Sequence, residues 1–201
     1  MTNLNQLKQG GSIPLNDQYQ ITLITKRDLP DITAMLNTPE VGTYLFYAPS
    51  PSREYTGYFD PIVENCEKAL REGIWPKNPN IIVRDAKQSF MGMGGLEADE
   101  MLSGNFEVGY QLPVHAWRKG IATAVCTFLT QFAFNELGAH KITADCIEGN
   151  VGSYKTLEKC GYRREGHQAD FYKLEDGFDG RFLYGMTLNQ FQNLSAELPN
   201  A

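Results

Sequence analysis

The chain has 201 residues, 42% of them hydrophobic and 21% charged, with a formal net charge of -6. That length can bury one proper core, and the composition excludes a disordered or fibrous chain. The negative balance argues against a surface that grips nucleic acid as a whole, and it suits an amine-bearing partner.

Taken in order, residues 1–18 are polar, with Asn, Gln and Gly and no apolar core. They are expected to be a flexible leader, neither a signal peptide nor a membrane anchor. The alternating segment Tyr19 to Thr25 predicts a first strand. Asp28 is placed to cap a helix carrying Leu29, Ile32, Met35 and Leu36, with Pro30 tolerated in its first turn. Thr43 to Pro49 is aromatic-rich and leads to a helix with Ser52 as its cap and its end near Arg71, which Pro61 is expected to divide. Tyr44, Phe46, Tyr47, Tyr55, Tyr58 and Phe59 suit the wall of a substrate cleft and equally the packing of helices on a sheet.

Asn80 to Arg84 and Ser89 to Leu96 predict two antiparallel strands joined by a polar turn at Asp85 to Gln88. Gly92, Gly94 and Gly95 precede neither a Gly-Lys-Ser/Thr nor a helical pattern. They are therefore strand glycines at a close approach or a bulge, not a phosphate loop.

A strand from Phe106 to Leu112 follows, and Trp117-Arg118-Lys119-Gly120-Ile121-Ala122-Thr123 opens a long helix to Leu137. Polar residues interrupt its apolar face, which makes it an amphipathic core helix and not a membrane span. His140 to Ile147 predicts another strand, and Asn150 caps a helix that closes at Cys160-Gly161-Tyr162. A strand that runs through a basic, glycine-containing turn into a helix leaves backbone N–H groups free at the helix's positive end, where a phosphate binds well. Gly120 permits close backbone approach, Ala122 keeps the first turn slim, Arg118 and Lys119 add positive charge, and Thr123 offers a hydroxyl. The same stretch also satisfies an ordinary helix start with two solvated bases.

Strands at about Gln168 to Leu174 and Arg181 to Leu188 flank an acidic turn, Glu175 to Gly180, and a polar tail follows Asn189. Without repeats or linkers the chain predicts one α+β domain at residues 19–190 and a tail at 191–201. Cys66, Cys126, Cys146 and Cys160 form no ligand cluster, and His115, His140 and His167 are too few for a histidine metal centre. The cysteines are expected to be free thiols of a reducing cytosol.

Trp117 to Thr123, together with Asn150-x-x-Ser153 and Leu157-Glu158-Lys159-Cys160-Gly161-Tyr162, resembles the GNAT superfamily of acyl-CoA N-acyltransferases. The likeness is greatest to the branch containing the ribosomal-protein alanine and serine N-acetyltransferases. It implies a mixed, mostly antiparallel sheet, splayed at its centre between the Glu107 and His140 strands, with helices on both faces. It also implies acetyl-CoA as co-substrate, no metal, and a pantetheine arm bonded to the backbone near Gln111 to Val114, so that Leu112 and Val114 join the donor contacts. The pyrophosphate loop would be residues 117–122, with Thr123 behind it, and Trp117 departs from the family's first position. Asn150 and Ser153 would complete the donor site, and Lys155 could reach a CoA phosphate or remain solvated.

Acetyl transfer needs a neutral amine and a group that meets the departing thiolate. Glu107, on the opposite side of its strand from Phe106 and Val108, is the first candidate base and Glu97 the second; either could instead be a solvent-facing strand carboxylate. The tyrosine that many family members use as acid falls at Leu157, which cannot donate. Resemblance assigns the role to Ser153, with Tyr154 as the fallback, although Asn150 and Ser153 also fit a plain helix cap. The expected reaction is direct attack in a ternary complex. Its acceptor is a protein N-terminus or else a small amine such as a polyamine, amino acid or antibiotic. The other class of reading is a CoA-binding sensor without catalysis. The protein is expected to be a cytoplasmic monomer or homodimer, with no nucleic acid or membrane partner.

Overall fold

Seven α-helices, two short 3-10 turns and eight strands lie along the described residues of a computed structural model, which comprise 4–45, 48–174 and 177–197. Phe46, Tyr47 and Glu175 lie outside them. The strands form one sheet in the order β1-β2-β3-β4-β5-β6-β8-β7. They are β1 (Ile13–Pro14), β2 (Tyr19–Leu23), β3 (Asn80–Asp85), β4 (Phe90–Ala98), β5 (Asn105–Gln111), β6 (Lys141–Ile147), β7 (Arg163–Leu174) and β8 (Gly177–Thr187). Every pairing is antiparallel except β5 with β6. The expected α+β fold, with a mixed sheet and helices on both faces, is the one formed.

Alternation along the strands builds two cores. Helices α2 (Leu29–Leu36), α3 (Pro39–Gly42) and α4 (Ser52–Glu72) close one face over Ile82, Phe90 and Met93. Helix α5 (Ile121–Glu136) crosses the other face, burying Ile121, Val125, Leu129 and Phe132 against Leu96, Phe106, Val108 and Ile142. Each such large apolar side chain is worth about 1.5–3 kcal/mol relative to exposure. Gly94 makes the close crossing possible, since a Cβ there would run into the Val125 side chain and lie 3.1 Å from the Gly109 carbonyl oxygen. At Val83↔Gly92 and Arg84↔Phe90 the register skips Met91, a bulge that turns Met91 to one core and Met93 to the other. Strand glycines at a close approach and a bulge were the expectation.

Several boundaries differ from the sequence reading. Leu4–Lys8 forms α1 and Ile13–Pro14 pairs with β2, and Leu7 and Ile13 are each 1% exposed. The segment read as a flexible leader is thus held by two apolar anchors too widely spaced among polar residues to form a recognisable pattern. Pro61 does not divide α4, which runs unbroken through it. Pro61 and Gly57, the residue whose carbonyl loses its N–H partner, are both exposed, so the freed carbonyl is not stranded in the core. Ser52 is the first helical residue and Pro51 holds the cap position. Asp28 precedes α2 but accepts from the Thr25 amide and hydroxyl, each at 2.8 Å, and from Arg84 at 2.8 Å, so it fastens the preceding turn to the sheet and does not cap the helix. Strands β7 and β8 begin ahead of their expected starts, at Arg163 and Gly177, so that Gly177 to Gly180 of the expected acidic turn is strand, and the two pair from Arg163↔Gly185 to Leu174↔Gly177. Residues Leu188–Glu197 form α7, with Phe191 stacked on Phe134 at 4.7 Å, so the expected tail is largely helix.

Candidate active site

The β5–β6 ladder has three rungs, Asn105↔Lys141, Phe106↔Ile142 and Glu107↔Thr143, and then stops. Beyond it β5 keeps pairing with β4 as far as Met93↔Gln111, and β6 with β8 as far as Ile147↔Arg181. Two strand edges therefore diverge from Val108 and Ala144 onward, which is the central splay anticipated from the sequence. Facing edges without a ladder offer backbone donors and acceptors to an extended ligand.

At the far end of β5 the chain passes through a short 3-10 turn, Val114–Ala116, and a tight loop before α5. Arg118 (φ 59°) and Gly120 (φ 75°) are both left-handed there. Such a curl turns successive N–H groups inward, and α5 adds the free N–H groups of its first turn, Ile121 to Thr123. Arg118 and Lys119 are exposed beside it. The Trp117 indole N–H donates to the Leu112 carbonyl at 2.8 Å, so Trp117 braces this loop against the end of β5. One acceptor lone pair of Leu112, expected to be open to a ligand, is thereby used internally. Val114 is 41% exposed at the mouth of the opening.

Helix α6 (Val151–Lys159) begins above the gap. The Asn150 side chain caps it by accepting from the Ser153 amide at 3.1 Å. Ser153 itself is approached by Tyr110 of β5, whose hydroxyl lies 3.1 Å from the Ser153 carbonyl and 3.4 Å from its Oγ. A bond to Ser153 also reaches Cys146, although burial pushes that thiol up to about 11. Leu157, at 1% exposure, is a core residue. The Tyr154 ring packs edge-on against Phe182 at 5.7 Å, with the Arg164 guanidinium 5.7 Å from its centre, so it is committed to β8. Lys155 is exposed.

On the opposite face of the sheet, Glu97 and Glu107 stand directly across from each other on β4 and β5. Both are exposed, but the Glu107 carboxyl is raised above the ordinary carboxylate range, first by partial burial and then by repulsion from Glu97, with Arg181 opposing. Tyr58 of α4, 61% exposed, leans over this pair, and its phenol is raised by burial and by both carboxylates. Arg181 is bonded to Asp145 and lies 5.0 Å from the centre of the Phe171 ring. Tyr172 feels Glu107 as well.

The aromatic passage divides accordingly. Tyr55 and Phe59 are buried in the core, whereas Tyr44 and Tyr58 face the groove side or solvent. Sequence reasoning did not single out Tyr110, Arg181 or Tyr172. For Tyr110 a signal existed, because a hydroxyl on the buried face shared with Phe106 and Val108 requires a partner. All four cysteines are free thiols, as expected. Among the described residues no group of three or more His, Cys, Asp or Glu is placed to hold a metal ion, and no helix is long and apolar enough to cross a membrane.

Residues 20–163 match the family described as acetyltransferase (GNAT) domain. YdaF of Bacillus subtilis, named provisionally as a ribosomal N-acetyltransferase, is 27% identical over 160 residues, covering 78% of this chain and 84% of its own. Spermidine N(1)-acetyltransferase of Vibrio cholerae is 23% identical over 153 residues, covering 76% and 83%. Among solved structures, spermidine N-acetyltransferase from Vibrio cholerae in complex with CoA and spermine superposes with a TM-score of 0.74 at 19% identity, covering 89% of this chain and 100% of that one. With a family match spanning most of the chain and a sheet opened between β5 and β6, the protein belongs to the GNAT family and is an N-acetyltransferase.

Proposed function

We propose that the protein transfers the acetyl group of acetyl-CoA to a primary amine, and that this amine is the N-terminus of a peptide or protein lying in the groove beside Glu107. The observation that carries the reading is the Glu97 and Glu107 pair beside the last β5–β6 rung, with Glu107 raised toward the range of a working base. Acetyl-CoA, when bound, supplies the acetyl group as a thioester.

The residues present fit that donor. Diverging edges at Val108 to Gln111 and Ala144 to Ile147 match the amides of a pantetheine arm. The curl at Arg118 to Gly120, the start of α5 at Ile121, Ala122 and Thr123, and the charges of Arg118 and Lys119 match a pyrophosphate. Glu107 takes the proton of the acceptor ammonium. Ser153, held by the Asn150 cap, presents its hydroxyl where negative charge develops on sulfur. Cys146, pushed up to about 11, is a poor nucleophile at neutral pH, which favours direct attack over an acyl-enzyme.

An extended acceptor is favoured because Glu107, Gly109 and Tyr58 leave the groove open to solvent along its side. The likeness to YdaF points the same way. A polyamine is the second reading, favoured by two opposed carboxylates and by the likeness to spermidine acetyltransferase. Free-thiol release from acetyl-CoA against N-terminal peptides, polyamines and amino acids separates the two. Peptide turnover, with mass spectrometry placing acetyl on the α-amine, is the expected result; turnover of polyamines alone would transfer the assignment to them.

A further inference from the structure

The phenol of Tyr110 is the one hydroxyl on β5 that reaches α6 across the splay. Had the parallel ladder continued from Glu107↔Thr143, Tyr110 and Cys146 would be partners three rungs on. They stand instead on the two edges that have parted, with Ser153 bonded to both. From this juxtaposition we infer that Tyr110 is a positioning residue for thiolate departure, holding the Ser153 hydroxyl at the opened strand edge where Leu157 leaves no acid. The inference rests on the acetyltransferase reading and deepens it.

The two contacts do different work. Donation to the Ser153 carbonyl at 3.1 Å ties the first turn of α6 to β5, and the 3.4 Å approach to Oγ restricts the rotamer of the hydroxyl. With the Tyr110 proton on the carbonyl, the Ser153 O–H is the donor in the 3.4 Å contact, and it exchanges that long bond for a stronger one to sulfur as charge forms there. A hydrogen bond to a charged acceptor is the strong kind, and its worth depends on the donor being aimed beforehand. No proton leaves Tyr110, whose phenol is held well above its usual range by burial and stays protonated. It thus differs from a tyrosine acid: the C–S bond breaks to release CoA as a thiolate hydrogen-bonded to Ser153, and the thiolate takes its proton from solvent.

The test reads the thiolate without an acceptor. Calorimetry compares CoA with desulfo-CoA at about pH 7 and about pH 9.5, spanning the range in which a free thiol ionises. The titratable groups facing Tyr110 are Cys126, Cys160, Cys146 and Tyr162, and burial holds the Tyr162 phenol protonated across this interval. Cys160 is held below the usual thiol range by the hydrogen bond from Cys126, and the desulfo-CoA reference cancels its effect. In the unaltered protein the preference for CoA over desulfo-CoA should grow about tenfold across this interval, in proportion to a charge-assisted bond. Tyr110→Phe should lose most of that growth and Ser153→Ala all of it, and the double variant should match Ser153→Ala. With a peptide acceptor, Tyr110→Phe should lower kcat and leave KM for acetyl-CoA in place. An unchanged preference in Tyr110→Phe, or a full Tyr110→Phe effect persisting without the Ser153 hydroxyl, overturns the inference while leaving the acetyltransferase reading intact. Failure of the unaltered protein to bind either ligand overturns both.

Discussion

As the proposed base, Glu107 works only when ionised, and its pKa is raised by burial first and by Glu97 second. Activity should therefore be lost as pH falls through a value above the ordinary glutamate of about 4.3. Glu97→Gln removes the repulsion, so the acid limb of kcat/KM should move to lower pH. Glu107→Gln should cost on the order of 10²–10⁴-fold in kcat and leave acetyl-CoA binding unchanged. A limb that stays in place in Glu97→Gln would remove Glu107 as the group being titrated. The thiols give a second prediction at this scale. A hydrogen bond from Cys126, aided by Thr127, lowers Cys160 to about 7, whereas burial pushes Cys66 and Cys146 up to about 11. Cys160 should be the first cysteine alkylated by iodoacetamide, with a rate rising through about 7, as peptide mapping would show. The faces of Glu107 and Tyr110 were legible from alternation along one strand. Their partners were not, since Ser153 lies 43 residues from Tyr110 in the chain and only the fold joins them.

Among the elements, α4 and the β4–α5 contact carry the sharpest tests. Pro61→Ala restores an intrahelical bond within an unbroken helix and should raise stability by about 1–3 kcal/mol, read as a higher Tm. A fall would mean that the fixed backbone angle of Pro61 stabilises α4 by more than the missing hydrogen bond costs. Gly94→Ala places a methyl against Val125 and 3.1 Å from the Gly109 carbonyl and should destabilise by about 1–3 kcal/mol. The glycine run, the Asn150 cap and the loop before α5 were readable because each depends on local backbone chemistry. Asp28 was misread because its carboxylate answers to Arg84, whose strand lies far along the chain. The lengths of β7 and β8 escaped for a related reason. The added segments, Arg163 to His167 and Gly177 to Asp179, are mostly exposed, so they show no buried alternation.

At the scale of the molecule, one sheet serves two purposes. Its antiparallel parts supply the cores, and the single parallel pairing stops after three rungs, leaving the opening in which the proposed donor lies. The fold class and this opening were legible through resemblance to a known family, whereas periodicity alone predicted strands and helices without an order for them. The anchoring of the first residues was not legible, although Leu7 and Ile13 are buried members of the core. Leu7→Ala should cost about 2–5 kcal/mol in chemical denaturation, against almost nothing for a free leader. The central claim is that the donor lies between β5 and β6 with its phosphates on the α5 loop. Hydrogen–deuterium exchange with and without acetyl-CoA tests it most directly. Protection concentrated at residues 108–114, 118–123 and 144–147 is the predicted result, and binding without protection at those edges would contradict it.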